Sequence, residues 1–575
     1  MSHLIALPPW KYSIRGCSSL LLSFTFGIFY HINSLVTLWN NRGQLKFVEI
    51  DNFYLNTINV LSRQPLSYFF GLYSPDSNVG TQRINPFPLG EYLFSIIKNL
   101  TAMSLVETYV VTSIFCTALM FFFFLRITLL YIPNQLTATL LTFSGLNLTF
   151  TDGYTLIRPI SPTFNALVWL IFLYTLLSTL RCNPEGFGRP RAHLSFTACL
   201  LLGSPYYVIL SVTCYLLFLL HIYRNRVKLK HIPSSGSLRF LILNNFLLAL
   251  FMVYWRIGNS NKQYWKDYSE RLGLVESHLP SAKSVIVIAG VSIALLLLIT
   301  PIQEFSETKR FLLWVNVTLI LVSNSNVVTG LYLQFSDHFN QIARILFFVS
   351  LLELIQALRL ARINHFLPIL LCCMLILSTV QQFMTLQSKP IVVANPASAY
   401  SNILLRISSL PSNANLLSDL DLETLDLISI HGNLNLVYSG NTSLYPISNQ
   451  ELTKRLHLYR ACRPIDRSFL LNNEAEILVY AYSGQYYKEL TWKKYLSTFG
   501  LSDLVKPQKN EPLVQEFINF SQILAFKDCF DLIKEFESDY ILTDNLDRWT
   551  NIIKGDFDVQ SFQNSVGELF LIRLT

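Results

Sequence analysis

The stretch from Leu105 to Leu130, LVETYVVTSIFCTALMFFFFLRITLL, is apolar apart from Glu107, Arg126 and a few hydroxyl-bearing residues. A bilayer core about 30 Å thick needs about 20 mostly apolar residues in each helix that crosses it. The stretch is therefore predicted to span a membrane. The whole chain agrees, because 51% of it is hydrophobic and only 14% is charged, whereas soluble domains carry about 25% charged residues.

Similar apolar stretches recur up to residue 383 and predict about eleven transmembrane helices. The fifth and sixth are short, and Ser204-Pro205 separates them. They are either a re-entrant pair or two short helices. The predicted spans are 17–38, 105–130, 134–150, 163–181, 194–204, 206–223, 238–256, 284–302, 311–324, 341–358 and 365–383.

Basic residues are concentrated in alternate loops, and the densest run is YRNRVKLK at Tyr223–Lys230. A cytoplasmic anchor explains such a run more simply than a partner site does. The net charge of +8 thus reflects membrane orientation, and the sequence contains no nucleic-acid-binding motif. Alternation then predicts a cytoplasmic N-terminus and an exoplasmic tail. Within that tail, Cys462 and Cys529 can pair if the tail faces an oxidising compartment.

Two parts follow from this layout. Residues 1–386 form a helical transmembrane part with a long exoplasmic first loop, 40–104, and residues 387–575 form an exoplasmic soluble α/β domain. Inside the first loop, apolar residues after Pro86 recur at helical spacing. They predict an amphipathic helix that lies either in the membrane interface or packed on the bundle. The chain is thus predicted to be an α-helical polytopic membrane protein with a C-terminal α/β domain, set in a bacterial plasma membrane.

The tail has the composition of an ordinary soluble domain. Mixed strand and helix patterns favour an α/β sandwich. No glycine-rich phosphate loop or nucleophile elbow occurs in the tail, so we expect no catalysis and no cofactor there. The predicted strands are 414–418, 427–431, 434–438, 540–543 and 569–573, and the predicted helices are 449–461, 513–526 and 531–537.

Glu49 and Asp51 follow the first span, in the run Phe47-Val-Glu-Ile-Asp-Asn-Phe53. Acidic residues at a membrane boundary are either solvated loop residues or part of a site on the membrane face. A site role means a general base, or a pair of ligands for a divalent cation, Mg²⁺ or Mn²⁺, against a phosphate. Asp51 is the preferred base, because its shorter side chain holds the carboxylate with fewer rotatable bonds.

Four further residues of the exoplasmic loops are candidates for substrate binding. Arg158 in the run IRPISP can bind a phosphate oxygen bidentately or reach the lipid headgroups as a surface residue. Asp337 and His338 form a titratable pair. Arg271 belongs to a charged loop with Asp267, and such charges are most often simply solvated.

The layout resembles the GT-C class of membrane glycosyltransferases. The resemblance is carried by Glu49 and Asp51, by the segment Pro86–Leu100 with the helix predicted after its turn, and by the tail. Three short stretches also resemble bacterial multi-pass proteins with this layout: Arg158–Pro162, Glu270–Leu274, and Asn326–Gly330 with Gln334 and His338. The acidic motif departs from the clear Asp pair common in the class, because it is Glu-x-Asp and the sequence identifies no second acidic site.

The resemblance implies sugar transfer from a polyprenyl-phosphate-linked donor at the outer membrane face. The implied partners are that lipid-linked donor and the surrounding membrane lipids. Two alternatives remain open. A lipid or oligosaccharide transporter or flippase would need ionisable residues buried at mid-span, for which Glu353 is the best candidate. A non-catalytic membrane subunit would present its tail to a partner.

Overall fold

The structure is a computed structural model of the full chain. The structure describes residues 9–32, 35–36, 45–47, 55, 58–59, 61–62, 89–149, 163–182, 190–202, 205–229, 242–250, 266–267, 280, 282–299, 306–329, 339–360, 373, 377, 392–394, 401–411, 414–432, 434–439, 442, 447–472, 493, 496–497, 500–501, 511–524, 528–564 and 567–574.

The chain is mostly helical, and four of its described helices are long and apolar enough to cross a membrane: Leu105–Tyr131, Phe164–Arg181, Glu307–Thr329 and Phe339–Leu358. Four shorter apolar helices accompany them among the described residues: Ser18–Tyr30, Arg191–Leu202, Tyr207–Leu220 and Lys283–Leu298. These eight segments coincide with predicted spans. The total of eleven stays a prediction.

The helices up to residue 360 form one bundle with a continuous apolar core. We label the helices α1 to α11 in chain order. Their bounds are α1 Pro9–Tyr30, α2 Leu89–Thr101, α3 Leu105–Tyr131, α4 Gln135–Thr149, α5 Thr163–Cys182, α6 Pro190–Leu202, α7 Pro205–Leu229, α8 Lys283–Leu298, α9 Glu307–Ser323, α10 Asn326–Thr329 and α11 Phe339–Leu360.

Helix α3 is the centre of the bundle, since it packs against α1, α4, α5 and α11. Its start is fixed by a capping box. The Ser104 Oγ accepts a hydrogen bond from the Glu107 backbone N–H at 3.2 Å, and the Glu107 carboxylate accepts one from the Ser104 N–H at 2.9 Å. Two backbone donors that a helix start leaves without partners are thereby satisfied.

Helices α4 and α11 approach closely at one glycine. A Cβ added to Gly145 would lie 2.2 Å from a ring carbon of Phe348. Phe348 is itself buried, so its ring has little room to move. Glycine at position 145 therefore allows α4 to pack directly against α11. This packing places the C-terminal end of α4 beside the start of α11.

The first loop reaches the C-terminal part of the chain at two places. Strand β1, Leu45–Phe47, pairs antiparallel with β2, Val392–Ala394. Asn59 donates hydrogen bonds from its amide to the backbone oxygens of Ser429 at 3.2 Å and Gly432 at 2.9 Å. The first loop is thus bound both to the segment that follows the bundle and to the C-terminal sheet region.

The described tail contains a five-stranded sheet in the order β4-β3-β5-β7-β6. Strands β3, β4 and β5 are parallel, and β6 and β7 form an antiparallel hairpin beside β5. One face carries Leu416 and Leu542 in a core with Ile428. The other face carries Leu417 and Ile541 in a second core with helices from the later half of the tail. Helices therefore cover both faces of the sheet.

The tail elements are numbered onward from the bundle. They are α12 Ser401–Ser408, β3 Asn415–Ser418, α13 Leu422–His431, β4 Asn435–Leu436, α14 Asn449–Tyr459, α15 Arg467–Asn472, α16 Glu511–Leu524, α17 Cys529–Glu535, β5 Tyr540–Thr543, α18 Leu546–Thr550, β6 Phe557–Asn564 and β7 Gly567–Leu574.

The predicted strand at 427–431 is wrong, because these residues form the second half of α13. The physical reason is topological. Strands β3 and β4 run parallel, and parallel neighbours need a crossover of a dozen or more residues, usually a helix. Asp421 starts that helix by accepting a hydrogen bond from the Thr424 backbone N–H at 2.9 Å. The run of Leu and Ile that suggested a strand is the apolar face of this crossover.

Candidate functional site

The six residues that the sequence singles out lie outside the described residues, so their positions and roles stay predictions: Glu49, Asp51, Arg158, Arg271, Asp337 and His338. The structure does describe their neighbours along the chain. Strand β1 ends at Phe47, α5 begins at Thr163, and α11 begins at Phe339. The site is therefore built from the described ends of the helices.

Helix α11 carries polar side chains near both of its ends, and these define two regions of the bundle. The "Arg344 end" contains Asn340, Gln341 and Arg344 with the helix ends they contact. The "Glu353 end" contains Glu353 and Gln356 with their partners. At about 1.5 Å of rise per residue, Asn340 and Glu353 lie roughly 20 Å apart along the helix axis.

Arg344 is half-buried within the apolar helix α11, one turn past its start. Its Nη1 donates a hydrogen bond to the backbone oxygen of Thr149 at 3.2 Å. Thr149 is the last residue of α4, where the helix leaves its final carbonyl groups without helical partners and carries a partial negative charge. The end of α4 therefore orients the guanidinium at this end of the bundle.

Amide and hydroxyl groups surround the start of α11. The Ser284 hydroxyl donates to the Asn340 amide oxygen at 2.6 Å, and this contact joins the starts of α8 and α11. The Asn324 amide oxygen accepts from the Ala282 backbone N–H at 3.0 Å, so the end of α9 lies against the start of α8. The neutral polar side chains are thus held by the helix ends themselves.

Gln341 adds an unsatisfied acceptor to this end. Its side chain is buried, and its Oε1 has no hydrogen-bond partner within the described part of the chain. Gln341 and Arg344 are three residues apart on one helix and so share a face. A buried carbonyl without a donor is unfavourable by about 1–3 kcal/mol. A hydroxyl or amide donor from a bound molecule would satisfy it.

This set of groups suits a polar, anionic head group. Arg344 supplies a positive charge, and a guanidinium is a group that binds phosphate oxygens. The amides and hydroxyls supply donors and acceptors for sugar hydroxyls. Because all of these groups lie at the ends of membrane helices, a molecule whose tail stays in the bilayer could present its head group there without leaving the membrane.

The Glu353 end has a different arrangement. Arg181 of α5 donates from Nη1 to the Glu353 carboxylate at 3.0 Å and from Nη2 to the Gln356 amide oxygen. The guanidinium carbon also lies 3.9 Å from the centre of the Tyr131 ring. Lys309 of α9 is fully buried, and its positive charge interacts with the Glu353 carboxylate. Four helices are therefore joined by one ion network.

Arg344 is the residue of this site that the sequence analysis missed. Arg344 lies near the start of the predicted span 341–358. In the sequence alone it resembles the other charged residues that lie at the ends of spans. The signal that could have identified it is its place inside the apolar run, because charged residues within membrane helices are rare and mark functional sites by default.

The described residues contain no group of three His, Cys, Asp or Glu side chains that could hold a metal ion. The carboxylates predicted to bind a divalent cation, Glu49 and Asp51, lie outside those residues, so the expected Mg²⁺ or Mn²⁺ stays a prediction.

No protein-family model and no curated protein matches the chain. A solved structure, the cryo-EM structure of the arabinofuranosyltransferase AftD from mycobacteria, aligns with a TM-score of 0.39 at 13% sequence identity. The alignment covers 72% of this chain and 30% of that enzyme. At this TM-score the similarity supports no functional conclusion.

Proposed function

We propose that this chain is a membrane glycosyltransferase that moves a sugar from a polyprenyl-phosphate-linked donor to an acceptor at the outer face of the membrane. The observation that carries the proposal is Arg344, a cation held within an apolar helix beside the amide and hydroxyl groups of the adjoining helix ends. A guanidinium in that place fits the phosphate of a lipid-linked sugar.

Asp51 is proposed as the general base that removes the proton from the acceptor hydroxyl, with Glu49 beside it. The acceptor oxygen then bonds to the anomeric carbon of the sugar, and the lipid phosphate leaves with the electrons of the broken bond. Arg344 and Arg158 would stabilise the charge that develops on this phosphate. Arg271, Asp337 and His338 are proposed to bind the substrates.

A divalent cation, if one is used, would be held by Glu49 and Asp51 and would neutralise phosphate charge. The chain positions of Asp337, His338 and Arg158 are consistent with a substrate site at the Arg344 end. Asp337 and His338 directly precede Phe339, the first residue of α11, and Arg158 precedes α5 by five residues. Since Arg181 at the end of α5 lies at the Glu353 end, the start of α5 faces the opposite end.

The proposed orientation places the tail outside the cytoplasm of a bacterial cell. It is supported by the disulfide bond between Cys462 and Cys529, whose Cα atoms are 6.1 Å apart. Disulfides form and persist in oxidising compartments and are rare in the cytosol. The pairing that the sequence analysis left open for an exoplasmic tail is present.

The transport alternative needs an ionisable residue buried at mid-span, and Glu353 is its best candidate. Glu353 is paired with Arg181 in this structure. A closed ion pair that joins helices accounts for this acid without any transported ion or lipid. The non-catalytic alternative is left to experiment.

The test is donor turnover by the purified full chain in lipid nanodiscs. Undecaprenyl-phosphate-linked mannose, galactose and arabinofuranose serve as donors, and release of undecaprenyl phosphate is followed by mass spectrometry. General-base catalysis contributes typically about 10²–10⁴-fold. We therefore expect Asp51→Asn to lose turnover on that order and Glu49→Gln to lose less.

Glu307→Gln is the matched control, because Glu307 is a half-exposed carboxylate at the start of α9, at the Glu353 end, where it pairs with Arg310. It should turn over donor at the wild-type rate. Wild-type rates in both Asp51→Asn and Glu49→Gln would remove the site from the first loop. Absence of any turnover by the wild-type chain would favour the non-catalytic subunit.

A further inference from the structure

The tail sheet changes winding direction between two of its parallel strands. From β3 the chain crosses through α13 to β4 on one side, and it then returns through α14 to α17 to reach β5 on the other side of β3. The two crossovers lie on opposite faces of the sheet, as the two separate cores indicate. Ligands of open α/β sheets bind at such a reversal, outside the carboxyl ends of the strands.

Asp419 and Arg548 meet at this position. Ser418, the last residue of β3, pairs with Leu542 of β5, so Asp419 leaves the sheet next to the end of β5. Its Oδ2 accepts a hydrogen bond from Nη1 of Arg548 on α18, the helix that follows β5. The ion pair therefore spans the two strands between which the winding reverses.

One carboxylate oxygen of Asp419 accepts no hydrogen bond from the described residues. Its side chain is only 3% exposed, and its Oδ1 is buried with no hydrogen-bond partner. Neighbouring polar side chains are already used: Asp421 caps α13 through Thr424, and the Asn545 amide oxygen accepts from the Arg548 backbone N–H at 3.1 Å. A buried carboxylate oxygen of this kind requires a donor.

The pair itself limits what that donor can be. A phosphate would supply only acceptors and would be repelled by the carboxylate. A cation would be repelled by the guanidinium. A sugar hydroxyl is both a donor and an acceptor, so two adjacent hydroxyls can donate to Oδ1 and accept from Arg548 together. The net charge of the pair is zero, which also suits an uncharged ligand.

We propose that the tail binds a saccharide through a vicinal diol at Asp419 and Arg548. The side chain of Arg548 is 26% exposed, so a sugar arriving from solvent meets the guanidinium first. A shift of that side chain then opens Oδ1 to the second hydroxyl. This site is separate from the Arg344 end, and it does not depend on the proposed transfer reaction.

Binding is measured on the full chain in nanodiscs by saturation-transfer difference NMR. The probes are methyl α-mannopyranoside, methyl β-galactopyranoside and methyl α-arabinofuranoside, with adenosine as a diol from a non-saccharide source. Charge-assisted hydrogen bonds strengthen such contacts, so Asp419→Asn should weaken saccharide binding about tenfold or more. Arg548→Lys should also weaken it, because lysine keeps the charge and loses the planar fork.

Two controls separate this site from other effects. Asp558→Asn changes an exposed carboxylate on β6, at the far edge of the sheet, and should bind like the wild type. Arg310→Gln alters the bundle away from the proposed donor site and should leave this signal unchanged. Thermal unfolding of each variant shows whether it folds. If Asp419→Asn does not fold, Arg548→Lys still tests the site.

The proposal fails under three results. Absence of binding for every saccharide would overturn it. If Asp419→Asn and Arg548→Lys both bind saccharide like the wild type, the sugar binds elsewhere and the proposal is overturned. Binding of adenosine alone would show that the diol belongs to a nucleoside, which contradicts the saccharide assignment.

Discussion

The two ends of α11 hold charge in different ways. At the Glu353 end, an acid and a base from different helices neutralise each other inside the bundle. At the Arg344 end, the guanidinium donates to the backbone carbonyl of Thr149, and amide and hydroxyl groups of the adjoining helix ends lie beside it. The Arg181–Glu353 ion pair joins helices directly, whereas the Arg344 end combines a cation with the unsatisfied acceptor of Gln341. We therefore propose a structural role for the Glu353 end and ligand binding for the Arg344 end.

The largest effect on stability is expected at the Glu353 end. Arg181→Gln leaves the Glu353 carboxylate buried without its partner, and breaking a buried pair in this way typically destabilises by about 3–5 kcal/mol. The double variant Arg181→Gln with Glu353→Gln removes both charges of the pair and should recover part of the loss, because the buried Lys309 then loses the nearby carboxylate charge. Thermal unfolding midpoints in detergent measure both.

The same variants test the assignment of roles. Turnover per folded molecule should stay at the wild-type value in the double variant, because no substrate contact is placed at this end. A single variant as stable as the wild type, or a double variant no better than the single one, would show that the network does not hold the helices together.

A smaller effect is expected in the tail, where a buried ionisable group stays neutral instead of pairing. His457 of α14 is 1% exposed, and its Nδ1 has no partner among the described residues. Burial, with the nearby charge of Arg460, lowers the pKa of His457 to about 4 from its ordinary value of 6.5. Between these two pH values the unfolded state binds more protons than the folded state.

The contribution of His457 to stability is therefore fully present above pH 6.5 and is lost as the pH falls toward 4. The shift corresponds to about 3.5 kcal/mol at most, at about 1.4 kcal/mol per pKa unit. Urea-dependent pulse proteolysis, read through the C-terminal fragment, measures tail stability at pH 7 and pH 5. His457→Gln should reduce the difference between the two pH values, and an unchanged difference would assign it to other groups.

The sequence predicted the bundle helices well because the membrane requirement acts on each segment separately. A length of about 20 apolar residues is visible without knowledge of neighbours, and α3, α5 and α11 begin within two residues of their predicted positions. The strand error at 427–431 has the opposite origin. The helical state of this segment follows from the parallel pairing of β3 with β4, which is not visible in a short window.

The candidate site was less predictable for a related reason. The sequence offered the carboxylates of the first loop, whose placement stays a prediction. The sequence did not indicate Arg344 as a site residue. Its guanidinium is oriented by the backbone oxygen of Thr149, which lies almost two hundred residues earlier in the chain. The pairing of β1 with β2 likewise joins segments that are far apart. Contacts over such separations carry no local pattern in one sequence.

The most direct test of the central claim is donor turnover by Arg344→Gln compared with Arg310→Gln. Arg310 is a half-exposed arginine near the start of α9, at the Glu353 end, and it pairs with Glu307. Loss of a group that stabilises charge in the transition state typically lowers the rate about 10²–10³-fold. The account predicts a loss of that order for Arg344→Gln with an unfolding midpoint close to the wild-type value, and wild-type turnover for Arg310→Gln. Wild-type turnover by a folded Arg344→Gln variant would contradict the claim that the Arg344 end binds the donor phosphate.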